Sequence, residues 1–174
     1  MNIKIMLSAF AILIVMQAPA SAAQAISAGA RYHMHHSAYA ELPYDDGDLS
    51  YLLGYEYHEN SAFWQLLVGY APDITTGDEG GSGAKSVVTP QLNLFFADGN
   101  WLGGVGILAS YIDTEDSESS DWTDVYWQLM LGLQLPLPVL DIELMAYYPF
   151  EKWSTLSEFD AGDIEYGVQI KFKF

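Results

Sequence analysis

Residues 163–174 read DIEYGVQIKFKF, and their alternation decides the fold. Ile164, Tyr166, Val168, Ile170, Phe172 and Phe174 fall on one face, while Asp163, Glu165, Gly167, Gln169, Lys171 and Lys173 fall on the other. A period of two belongs to a β-strand, whose successive side chains point to opposite faces. Because the apolar face is uninterrupted, this strand commits one face to an apolar medium and the other to a polar one.

The two preceding segments repeat the pattern. In 140–151 (LDIELMAYYPFE), Leu140, Ile142, Leu144, Ala146, Tyr148 and Phe150 oppose Asp141, Glu143, Met145, Tyr147 and Glu151. In 124–135 (DVYWQLMLGLQL), Val125, Trp127, Leu129, Leu131, Leu133 and Leu135 share a face. Weaker alternation predicts strands over 27–40, 49–58, 62–71, 86–97 and 101–113, giving eight in all. The connections alternate in length. Long acidic or Gly/Ser-rich ones (41–48, 72–85, 114–123, 152–162) take turns with short ones (59–61, 98–100, 136–139). A meander built this way has two unlike ends.

Composition narrows the setting. Of 174 residues, 51% are hydrophobic, yet 23 Asp and Glu against 6 Lys and Arg give a net charge of -17. Such a chain lacks the cationic excess that nucleic acid binding needs, and it is too apolar for disorder. There are no cysteines, which excludes disulfides, thiolate metal sites and a lipid-modified N-terminal Cys. Residues 1–22 read as a signal peptide: Lys4, an apolar run over 5–16, and Ala20-Ser21-Ala22 as a small-x-small cleavage site. Residues 23–174 are then the barrel domain.

An even number of roughly ten-residue alternating strands, with turns at one end and long loops at the other, is what a membrane β-barrel requires. A soluble lipocalin-type barrel is the alternative, but six large apolar residues per strand would overfill a small lumen. At the C-terminus, Gly167, Ile170, Phe172 and Phe174 resemble the assembly signal of bacterial outer-membrane barrels. The whole chain after residue 22 resembles the small eight-stranded class of the outer membrane protein A transmembrane domain and outer membrane protein X. The resemblance implies an all-β, up-and-down antiparallel barrel in the bacterial outer membrane, with lipid and the barrel assembly machinery as partners. It also implies a monomer with long loops outside. Aromatic residues fit two interface girdles, with Trp64, Phe96 and Trp101 near the short-turn end and Trp127, Tyr148 and Phe150 near the other.

Eight strands enclose an interior that side chains can fill, so inward charges must pair. A hairpin centred near residue 157 sets Asp141 opposite Lys173 and Glu143 opposite Lys171. On the first two strands Arg31, His33, His35 and Ser37 share a face, and a hairpin register brings Arg31 and His33 toward Glu56 and His58. This reads as a structural lumen network of Arg31, Glu56, Asp141, Glu143, Lys171 and Lys173. A transition-metal site from His33, His35, His58 and Glu56 is the sharper alternative, since imidazole and carboxylate suit zinc or copper.

The leading expectation is a non-enzymatic barrel with a structural or surface-interaction role and no cofactor. The alternatives are a narrow pore or metal-handling barrel and a lipid A-modifying enzyme. His35-x-Ser37 resembles the His-x-Ser strand of the lipid A deacylases, although no Asn follows Ser37 and both side chains read as inward. Acidic pairs such as Asp45/Asp46 and Glu115/Asp116 read as solvated loop charge, with weak, delocalised binding of divalent cations as their only expected ligand chemistry.

Overall fold

The computed structural model describes residues 23–34, 43–44, 46–74, 84–114 and 120–174. The signal-peptide reading of 1–22 and the positions of His35 and Ser37 lie outside these residues. The strands are β1 (Ala23–Tyr32), β2 (Leu49–Glu59), β3 (Ala62–Ile74), β4 (Ala84–Asp98), β5 (Trp101–Leu108), β6 (Tyr111–Thr114), β7 (Asp121–Trp122), β8 (Tyr126–Pro136), β9 (Asp141–Phe150) and β10 (Glu165–Lys173). Neighbours pair antiparallel in the order β1-β2-β3-β4-β5-β8-β9-β10, and β10 returns to β1. With β6 continuing the course of β5 and β7 that of β8, the sheet is a closed barrel of eight staves.

Closure gives every stave two hydrogen-bonded neighbours, which is the only way a sheet can meet a medium that offers no hydrogen bonds. The faces are sorted accordingly. Leu53, Trp101, Leu131, Leu144, Val168 and Ile170 point out and are exposed, while Ser27, Glu56, Gln65, Asn93, Gln169 and Lys171 are buried. A barrel that is apolar outside and polar inside is solvated by lipid.

Turn lengths sort the ends as expected. Asn60-Ser61, Gly99-Asn100 and 137–140 close one end, and the strand ends that flank the long connections lie at the other. Asn60 and Gly99 have φ of 57° and 60°, the left-handed conformation that tight hairpin turns need.

Three features depart from the sequence expectation. First, β1 runs from Ala23 to Tyr32, where 27–40 was expected, and the strand expected over 101–113 is interrupted at 109–110. Second, the connection expected over 152–162, read as a long loop, carries two 3-10 turns, Trp153–Glu158 and Ala161–Asp163. Trp153 meets Phe150 edge-on at 5.1 Å and Phe159 meets Tyr148 at 4.8 Å. Tyr148 and Phe150 are therefore buried, and Trp153 and Phe159 take the exposed positions expected of them. Third, the interior is only partly polar: Phe63, Phe95, Leu102, Met130, Met145 and Tyr147 form an apolar wall across β3, β4, β5, β8 and β9. Apolar bulk against that wall fills the lumen without adding polar groups that would need partners.

The seam between β1 and β10 is unusually close at Gly29. A Cβ there would lie 2.1 Å from the Val168 carbonyl oxygen and 2.8 Å from the Gln169 Cα, both backbone atoms. Gly29→Ala should destabilise the barrel by about 1–3 kcal/mol, because the closing strands must separate to admit a methyl group. Urea unfolding followed by tryptophan fluorescence checks this, and an unchanged midpoint would contradict the close approach.

Candidate functional site: the barrel lumen

The lumen holds a side-chain network that runs along most of its length. At the short-turn end, Lys171 pairs with Glu143 and lies 3.2 Å from Glu56, all three with almost no exposed surface. Its ammonium also sits 4.9 Å above the Phe63 ring. Glu56 further takes bonds from His58 at 2.8 Å and Gln65 at 3.0 Å. Lys173 pairs with Asp141, which also accepts from Gln134.

From Gln65 the network climbs through amides. Asn93 Nδ2 donates to Gln65 Oε1 at 2.9 Å, and Gln128 Nε2 donates to both Asn93 Oδ1 and Gln91 Oε1 at 2.8 Å. Arg31 joins it from above, donating to Gln128 Oε1 at 3.1 Å and to Glu165. The guanidinium lies 4.1 Å over the Tyr147 ring, a cation–π contact inside the barrel. An amide both donates and accepts, so a row of them links charged groups without itself carrying charge.

The long-loop end is organised around His33, just beyond β1. Its Nε2 lies 2.6 Å from Ser50 Oγ, and its Nδ1 lies 3.0 Å from the Glu165 carboxylate. Its ring stacks on Tyr44 with centroids 3.6 Å apart and planes within 7°. The Tyr44 hydroxyl bonds with Thr89, which bonds in turn with Ser110 at 2.7 Å. Burial pushes the His33 imidazolium down and the Tyr44 phenol up from their ordinary ranges. Both are therefore neutral at neutral pH. Arg31, His33, Tyr44, Ser50 and Glu165 border a cavity of about 10 Å³, room for roughly one water.

The expected pairs Lys171–Glu143 and Lys173–Asp141 are present, but by a different route. The β9–β10 register sets Asp141 opposite Lys171 and Glu143 opposite Gln169, two residues from the register expected. Each lysine instead reaches its carboxylate diagonally, as a long side chain can across neighbouring strands.

The expected proximity of Arg31 and His33 to Glu56 and His58 is not found. Arg31 lies opposite Ser50, and Glu56 lies opposite Ala25. His33 meets Ser50, and His58 follows eight residues further along β2, roughly 27 Å at the rise of a strand. Of the expected metal set His33, His35, His58 and Glu56, His33 is thereby parted from His58 and Glu56 by most of the barrel's height. His35 lies outside the described residues, and among those described no three His, Asp or Glu side chains are placed to share a metal. The partner of Arg31 is Glu165, contributed by the last stave through barrel closure. Face periodicity was correct for Arg31, His33, Glu56 and His58; height along the barrel was not.

Inverted faces, closure through β10 to β1 and a filled lumen together define the architecture. It is shared with solved structures. The chain superposes on the N-terminal β-barrel domain of Pseudomonas aeruginosa OprF with a TM-score of 0.51 at 12% identity, covering 87% of this chain and 97% of that one. The chain has the fold of the small outer-membrane barrels. Other outer-membrane barrels align over similar lengths with lower scores. Neisserial surface protein A gives 0.49 at 12% identity, covering 88% and 96% of the two chains. Ail, the attachment invasion locus protein of Yersinia pestis, gives 0.40 at 14% identity, covering 88% and 97%. No protein-family model matches this outer-membrane-type barrel, and no curated protein matches it in sequence.

Proposed function

We propose that the protein is an integral barrel of the bacterial outer membrane with a sealed lumen, a structural or surface-interaction role, and its long acidic loops outside. The observation that carries this reading is the combination of a lipid-facing exterior with an interior closed by bonded charges, amides and an apolar wall. Arg31, Glu56, Asp141, Glu143, Lys171 and Lys173 then act structurally.

The C-terminal strand, with Gly167, Ile170, Phe172 and Phe174, engages the barrel assembly machinery, and the protein works as a monomer. Divalent cations associate with the acidic loops weakly, through solvated carboxylates.

Conductance tests the sealed lumen. The refolded protein inserted in a planar bilayer should give no discrete current steps above the bilayer background. Reproducible ohmic steps would make it a narrow pore.

A further inference from the structure

The outer wall of the barrel is not uniformly convex. Across β5, β8, β9 and β10 it holds an open apolar groove of about 360 Å³. Strand register builds the groove from two rows of outward residues. Trp101, Leu133 and Leu144 stand opposite one another in the first, and Leu131, Ala146 and Tyr166 in the second. Ala146 is the floor, a methyl group flanked by Leu131, Leu144 and Tyr166. Gly132, Met145 and Gly167 also border it, and because they face the lumen by parity they meet it through backbone. Gly103 extends the second row onto β5, where an added Cβ would meet nothing within 4 Å. The groove also climbs the wall. Trp101 opens β5 beside the Gly99-Asn100 turn, whereas Tyr166 is the second residue of β10, which enters from the long-loop end. Three steps of about 4.8 Å between neighbouring staves give it a length of about 14 Å. That is close to the depth of one leaflet in a hydrocarbon core about 30 Å thick.

We propose that this groove is a binding site for one acyl tail of a phospholipid from the leaflet at the short-turn end. The site rests on the lipid-facing wall and the orientation proposed above, in which that leaflet is the periplasmic one. Hydrocarbon already surrounds the whole wall and is as apolar as leucine, so hydrophobicity does not select the groove; packing does. A flat stretch of wall touches a tail on one side only. Here Leu131, Leu144 and Tyr166 flank the tail and Ala146 lies beneath it. Without a tail each of those side chains would lose the dispersion contacts on its groove face. No side chain of the barrel can take the tail's place, because the two outward positions beside Leu131 are Gly103 and Ala146. Trp101 marks the entrance, since an indole settles at headgroup level, and the tail rises from there toward Tyr166.

The full chain is refolded in dioleoylphosphatidylcholine vesicles that contain a trace of phosphatidylcholine carrying a diazirine at the middle of one tail, and then irradiated. Peptide mass spectrometry should find adducts on Leu131, Leu144, Ala146 and Tyr166 about tenfold more often than on Leu53 and Leu92, a preference equivalent to about 1.4 kcal/mol. Leu53 and Leu92 are exposed on β2 and β4, away from the groove. Ala146→Phe and Gly103→Leu fill the groove from outside, and each should lower the labelling of Leu131 and Leu144 toward that of Leu53. Heat-modifiable gel migration verifies that both variants fold. Even labelling of groove and flat wall, or unchanged labelling in both folded variants, would overturn the proposal while leaving the lipid-facing wall in place. No adducts anywhere on the wall would overturn both. Crosslinked barrel dimers that Ala146→Phe abolishes would assign the groove to a second copy of the chain and overturn the proposal as well.

Discussion

Lys171→Met should cost the folded barrel about 3–5 kcal/mol, the usual penalty for removing one partner of a buried ion pair. Lys171 is fully buried and faces Glu143 and Glu56 together, so its loss leaves two carboxylates near each other with no cation between them. His58 still reaches Glu56 at 2.8 Å, but among the described residues no second cation pairs with Glu143. Methionine keeps most of the volume and the contact with Phe63, which isolates charge from packing. Urea unfolding in lipid vesicles, read by tryptophan fluorescence, gives the loss directly. Adding Glu143→Gln and Glu56→Gln to Lys171→Met should recover most of it, because neutral amides carry no unpaired charge. An unchanged midpoint in the single variant would show that water reaches the lysine and that the lumen is open there.

The second large effect is on the outside. Leu131 is central in β8 and 58% exposed. Leu131→Arg should destabilise by about 2–4 kcal/mol if that face lies at the bilayer midplane. The same change at Val139, 80% exposed in the 137–140 turn, should cost about 0–1 kcal/mol, since arginine there reaches the interface. On a water-facing barrel both substitutions would stay within about 0.5 kcal/mol. The difference between the two sites is therefore a direct reading of what solvates the wall. Equal unfolding midpoints in vesicles would reject the lipid-facing assignment.

The legible parts of the molecule were those written in short-range pattern. DIEYGVQIKFKF, LDIELMAYYPFE and DVYWQLMLGLQL each placed their apolar and polar residues on the faces where the structure has them, apart from Tyr148 and Phe150, which the 3-10 turns cover. Alternating loop lengths gave the two ends. The pairs Lys171–Glu143 and Lys173–Asp141 survived a register error of two residues, because a shift of two preserves the face and lysine is long enough to absorb the offset. Arginine at 31 had no such tolerance. Its partner depends on which stave closes the ring, and Glu165 is 134 residues away in the chain.

Tyr44 and the 3-10 turns show a different limit. Tyr44 lies in a stretch that reads as an acidic loop, yet it folds back to stack on His33. Trp153 and Phe159 sit among polar residues, with no periodicity to report that they cover Phe150 and Tyr148. The amide row of Gln65, Asn93 and Gln128 left a faint signal, since each is a large polar residue at an inward position of its strand. Their mutual height could not be read, because it depends on the stagger between neighbouring strands.

By itself, then, the sequence determined that this chain makes alternating strands with an apolar and a polar face, joined by unlike turns, because side-chain direction in a strand is set by parity alone. Only the tertiary structure decided which inward groups meet: Arg31 with Glu165, His33 with Ser50, and Lys171 with both Glu56 and Glu143. The reason is geometric. Closing a sheet fixes the register of every strand against two neighbours at once, and that register carries the height along the barrel that parity leaves open.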